Sequence, residues 1–174
     1  MKRLNKICCL LLVSILMFSF VGCSSKSSED SKAESVITEY INTYYTITKD
    51  DIELYKKIVG GNKDGNVLIS DTNKANEKFK NLMTDTAYVT IATKRMTYGR
   101  CKEASDNNYY VTVKSIKLEK SSEDAQSKVY YYDIELTQTS LSGNEAKNIK
   151  DRKQIIVTKV KDSWKVSNAY MDGY

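Results

Sequence analysis

Any chemistry in this chain has to be done without histidine, which is absent from its 174 residues. That removes Ser-His and Cys-His nucleophile pairs and every imidazole metal site. Four cysteines remain, Cys8, Cys9, Cys23 and Cys101. Cys101 is flanked by Arg100 and Lys102, too thin a cationic setting for a thiolate, and reads as a small buried filler. The string Lys128-Val129-Tyr130-Tyr131-Tyr132 interleaves cations with rings of the kind that stack on nucleobases or sugars. It is also what a half-buried strand of a Lys- and Tyr-rich protein looks like, and that simpler reading is preferred.

Oxygen ligands are best spaced between Gly60 and Asp71 (GGNKDGNVLISD). This segment resembles a calcium loop of the EF-hand kind: Asn62, Asp64, Gly65 and Asn66 take its third, fifth, sixth and seventh places and Asp71 its twelfth. Gly60 stands in the first place, where a carboxylate ligand belongs. The segment is therefore expected to be a loop between helices, with Asn62, Asp64, Asn66 and Asp71 as the candidate ligands of a metal that is not expected to bind.

The first 23 residues carry an address. Lys2, Arg3 and Lys6 form a positive start without an acid, and Ile7 to Val21 is apolar apart from Ser14 and Ser19. That run suits a secretory signal and falls short of the roughly 20 residues a spanning helix needs. It closes on Phe20-Val21-Gly22-Cys23, with Ser24, Ser25, Ser27 and Ser28 behind it. The pattern resembles the lipobox of bacterial lipoproteins, with Phe20 where Leu is usual. The resemblance implies cleavage between Gly22 and Cys23, diacylation of Cys23, and a location on the outer face of the cell membrane, held through the lipid. An ordinary signal peptide with an incidental Cys, or an uncleaved anchor, are the alternatives.

Cleavage there removes Lys2, Arg3 and Lys6, so 27 basic residues become 24 against 22 acidic ones. A surface so nearly neutral gives no reason to expect nucleic acid as a partner. Cys101 becomes the sole thiol besides the lipidated one, so no internal disulfide is expected and the core must supply the stability.

Residues 23–34 are Ser-rich and charged, and read as a lipidated tether, leaving 35–174 as a single domain. From Val36 the apolar residues recur at three-to-four spacing through Ile37, Tyr40, Ile41, Tyr44, Tyr45 and Thr48, which predicts a helix capped by Ser31-x-x-Glu34. Asp50-x-x-Glu53 repeats the capping signature for a second helix that stops at Gly60-Gly61. A third helix is expected from about Asn73, burying Phe79, Leu82 and Met83. Thr84-Asp85 heads a short fourth one through Arg95, although Ala87, Val89 and Ile91 alternate as in a strand.

After Asn108 the period becomes two. Tyr109, Val111 and Val113 share one parity and Ile116 and Leu118 the other, which predicts a bulge near Lys114-Ser115. Tyr130, Tyr132, Ile134 and Leu136 mark a long strand; Ile155, Val157 and then Trp164-Lys165-Val166 mark two more across a short turn. Helices followed by an antiparallel meander define an α+β fold, with the helices covering one face of a curved sheet.

This order, from about Glu34 to Tyr170 and ending in the Trp164-Lys165-Val166 hairpin, is similar to the nuclear-transport-factor-two-like (cystatin-like) cone. With the Ser-rich tether, the chain looks like a small lipoprotein of low-GC Gram-positive bacteria. In enzymatic cones an Asp or His works with a Tyr inside the pocket. That makes Tyr130 and Tyr132 the candidate pocket residues, but period two turns Asp133 to the opposite face. No catalytic residue, cofactor or enzymatic activity is therefore expected. The resemblance implies a membrane-anchored module binding a small ligand or an envelope protein. The alternative is an accessory subunit of a secretion or conjugation machine, where related cones occur. Trp164, the single Trp, is expected in the core against Tyr40, Ile41 or Tyr44.

Overall fold

The computed structural model describes residues 27–60, 76–143 and 146–170. Gly22, Cys23 and the four candidate calcium ligands lie outside the described residues. Helices come first: α1 (Ser28–Tyr45), α2 (Lys49–Val59), a short helical stretch over 76–80, α3 (Asp85–Thr93) and α4 (Met96–Asp106). The strands β1 (Tyr109–Glu123), β2 (Ser127–Ser140), β3 (Ala146–Val160) and β4 (Ser163–Tyr170) then form one antiparallel meander of order β1-β2-β3-β4. The fold is α+β, helices on a curved antiparallel sheet, as the resemblance implies.

α1 starts well before the expected position. Its cap is Ser27, whose hydroxyl accepts the amide of Asp30 at 3.1 Å, and residues 28–34 of the expected tether are helical. Ser31-x-x-Glu34 is therefore interior, with Ala33 buried between the two. The reason is tertiary: Glu29 and Asp30 both find cationic partners on the sheet. Downstream, Ile37, Tyr40, Ile41, Tyr44 and Tyr45 bury one stripe at helical spacing. Thr48 leaves that stripe and becomes the cap of α2. A capping box forms between Thr48 and Asp51, two residues before the expected Asp50–Glu53 pair.

Thr84 caps α3 as expected, accepting the amide of Ala87 at 3.3 Å. The strand-like alternation over 87–91 dissolves, because Ala87 and Ile91, four apart, face the core while Val89 is exposed. Arg95, at a left-handed φ of 52°, ends this segment and begins α4, which the sequence reading missed altogether. α4 buries little beyond Ala104, so no apolar stripe announces it.

In the sheet, β1 shifts register between Val113 and Ser115, where the bulge was expected. The extra residue brings Val111, Val113, Ile116 and Leu118 into one phase facing the helices. Tyr130, Tyr132, Ile134 and Leu136 are all buried, and Lys128 continues their parity at 6% exposure. β3 begins at Ala146, well before its apolar run, because pairing with β2 extends back to Thr139↔Ala146. Both sheet edges are partly closed by the helical layer. Ile47 exchanges two backbone bonds of 3.0 Å with Val111 on β1, and Val166 on β4 bonds Leu82 and Thr84.

Candidate functional site

Three groups of side chains in this fold have the makings of chemistry. The first is the tyrosine cluster over the sheet. Tyr130 and Tyr132 are fully buried on β2, and the hydroxyl of Tyr132 pairs with that of Tyr45 at 3.0 Å. Burial raises both hydroxyls, Tyr130 to about 12 and Tyr132 well above the ordinary range. They stay neutral near pH 7, and both candidate pocket residues have their side chains packed in the core. Asp133 lies on the outer face as period two requires, bound by both Nη1 contacts of Arg152 at 2.9 and 3.0 Å.

The second group ties α1 to the sheet. Glu29 accepts from Lys32 at 2.9 Å, from Lys159 at 2.9 Å and from the indole N–H of Trp164 at 3.1 Å. Asp30 accepts from Lys120 at 3.1 Å and from the buried Lys128. The ammonium groups of Lys128 and Lys159 lie 5.1 and 5.9 Å from the Trp164 ring centre. Trp164 is buried as expected, but its indole N–H is anchored at the first turn of α1, at the other end of that helix from Tyr40 and Tyr44. This network is architectural: every anion in it has its cation.

The third group is a cleft in the helical layer. Residues at three-to-four spacing on α2 (Asp51, Leu54, Tyr55, Ile58) and α4 (Thr97, Arg100, Cys101) face each other across the end of α1. They enclose a cavity of about 30 Å³, room for about two water-sized groups. Cys101 forms part of its wall, and burial pushes the thiol up to about 11. It is therefore a thiol near pH 7, in keeping with a filler. Arg100 lies across the rings of Tyr44 and Tyr45, 5.0 and 4.5 Å from their centres. Its Nε is buried and has no hydrogen-bond partner among the described residues.

Neither Tyr130 nor Tyr132 lines this cleft. The sequence reading considered Arg100 only as a neighbour of Cys101. The one local signal was the triplet Thr97, Arg100 and Cys101 at helical spacing, unreadable without knowing that 96–106 is a helix. Among the described residues no group of three or more Cys, Asp or Glu side chains is arranged to hold a metal ion.

No family model and no curated protein matches the chain. Among solved structures it is similar to the intermembrane space region of the chloroplast protein ARC6, with a TM-score of 0.42, 11% identity, and 80% of this chain and 92% of that one covered. It is also similar to the putative transfer protein TraH of the Gram-positive conjugative plasmid pIP501, with a TM-score of 0.39, 13% identity, and coverage of 80% and 90%. Nothing about ligand or partner follows from similarities this low.

Proposed function

We propose that this chain is an extracytoplasmic lipoprotein, cleaved between Gly22 and Cys23, diacylated at Cys23, and acting as a non-catalytic module that binds a small ligand or an envelope protein at the outer face of the cell membrane. The observation that carries it is spacing. The apolar run ends at Val21, the acylatable Cys23 follows, and Ser27 already caps the first helix of the fold. Among the described residues no helix is long and apolar enough to cross a membrane. The non-catalytic part is supported by the tyrosine-filled interior and by the lack of His.

Intact-mass analysis of membrane-extracted protein tests the reading. Loss of residues 1–22 with an added diacyl mass is expected, and Cys23→Ala should release the protein or leave an unprocessed precursor. A Cys23→Ala chain that is processed and retained like the parent would sink it.

A further inference from the structure

Of the three tyrosines in the run 130–132, two are core and Tyr131 is turned to the other face of the sheet, where it is 36% exposed. That outer face carries its polar groups in two cross-strand rows. Lys117, Asp133 and Arg152 stand opposite one another on β1, β2 and β3, and Ser115, Glu135 and Lys150 form the next row, two residues along β2. These side chains hold one another in place. Arg152 donates to Asp133 at 2.9 and 3.0 Å and to Glu119 at 2.7 Å, and Lys114 donates to Glu135 at 3.0 Å. The Arg152 guanidinium also lies 5.1 Å from the centre of the Tyr131 ring.

The two rows line a trough of about 520 Å³ on the outer face. It lies beside the bulge between Val113 and Ser115, where a strand bends and twists more strongly. The volume falls inside the range of roughly 300–1,000 Å³ over which small-molecule sites are found. The groups are within reach of a ligand, since the side chains of Asp133 and Arg152 are 43% and 47% exposed. Their mutual bonds do not exhaust them: a carboxylate has about four acceptor sites and a guanidinium five N–H donors.

The order of these groups names the ligand. Acids on β2 sit between cations on β1 and β3, so a charged ligand lying across the trough meets like charges as well as opposite ones. A hydroxyl carries no charge and satisfies either neighbour, because it donates and accepts at once. Peptides are gathered along a free strand edge or in apolar sockets. Here β2 is paired on both sides, and the lining is polar apart from Ile134. A sugar ring offers hydroxyls to the two rows and an apolar C–H face to the exposed part of Tyr131.

We propose that the outer-face trough is a binding site for an uncharged oligosaccharide, its hydroxyls shared between Asp133, Glu135, Lys117 and Arg152 and one ring resting against Tyr131. This rests on the binding half of the function proposed above and names the ligand class; the lipid anchor can fail with this site intact.

The full chain, in a polyoxyethylene detergent that carries no sugar, is titrated separately with cellotriose, maltotriose and N,N′,N″-triacetylchitotriose and followed by saturation-transfer NMR on the sugar protons. At least one trisaccharide should bind saturably with a half-saturating concentration of about 1 mM. That value should not move between about 50 and 500 mM sodium chloride, since screening acts on charges the ligand lacks. Tyr131→Ala and Asp133→Asn, both at exposed positions, should each raise it at least about fivefold, while Val89→Ala on α3 leaves it unchanged. The assignment is overturned if no trisaccharide binds saturably, if binding collapses in salt, or if trialanine or tripolyphosphate displaces the sugar. Should Tyr131→Ala not fold, Asp133→Asn decides. A trisaccharide that binds the parent and both variants alike strikes this site and leaves the binding function in place. Cys23→Ala is expected to bind unchanged while losing its acyl mass, so a failure of the site and a failure of the anchor are read separately.

Discussion

Trp164 and Glu29, 135 residues apart, are joined by a 3.1 Å hydrogen bond from the indole N–H to the carboxylate. The last strand thereby holds the first turn of the first helix. Lys128 and Lys159 on the same ring, bonded to Asp30 and Glu29 respectively, complete the clasp.

Trp164→Ala removes a ring that is 5% exposed, and is expected to cost about 3–5 kcal/mol in urea unfolding. Trp164→Phe keeps most of the packing and loses the bond to Glu29, so about 1–2 kcal/mol is expected. Equal losses for the two variants would mean that packing contributes little here.

The clasp should open in acid. Lys32, Lys159 and Trp164, in that order, pull Glu29 from 4.5 to about 2, and Lys128 ahead of Lys120 and Ser27 pulls Asp30 from 3.8 to about 2. Folded values below the unfolded ones mean a contribution fully present above about pH 4.5 and lost as pH falls towards about 2. Amide exchange in residues 28–34 should rise across that window before the sheet is affected. Asp30→Asn should flatten the acid limb and lower stability at neutral pH, because it leaves the buried Lys128 with only Glu123, at 3.5 Å, as its anion. An acid limb identical in Asp30→Asn would refute the assignment.

Buried tyrosine hydroxyls should answer removal with opposite signs. Tyr132→Phe strands the hydroxyl of Tyr45 and is expected to cost about 1–3 kcal/mol, most of it recovered in the double change Tyr45→Phe with Tyr132→Phe. Tyr130 Oη is buried and has no partner among the described residues, so Tyr130→Phe should be neutral or stabilising by up to about 1 kcal/mol. The check is a double-mutant cycle by chemical denaturation; additive effects at 45 and 132 would contradict the pairing.

In the chain acylated at Cys23, the domain's orientation follows from chain length. Four residues from Cys23 to Ser27 reach at most about 14 Å. The first turn beyond them is clasped beside the hairpin turns at 124–126 and 161–162. That end of the sheet should therefore face the bilayer. Trp164, the single Trp, should transfer excitation efficiently to dansyl-labelled lipid in vesicles carrying the acylated protein. Lengthening the 24–26 segment with a Gly-Ser insert should reduce transfer; no reduction would leave orientation unset by the linker.

Period and punctuation were enough to read the apolar parts of the sheet. Tyr130, Tyr132, Ile134 and Leu136 declare their face because a strand's side chains alternate whatever its neighbours are, and the parity slip between Val113 and Ile116 can only be absorbed by an extra residue. The stripe from Ile37 to Tyr45 was legible for the same local reason. What local pattern could not supply was decided by partners distant in sequence. Residues 28–34 read as tether because they are polar, and they are helical because Lys128, Lys159 and Trp164 receive Glu29 and Asp30. β3 starts at Ala146 because β2 is there to pair with it, and Lys128 occupies a core parity because Asp30 answers its charge. Arg100 is one cation among 27 basic residues in the sequence, and it comes to lie across the rings of Tyr44 and Tyr45 in a cleft wall only once α1, α2 and α4 have packed together.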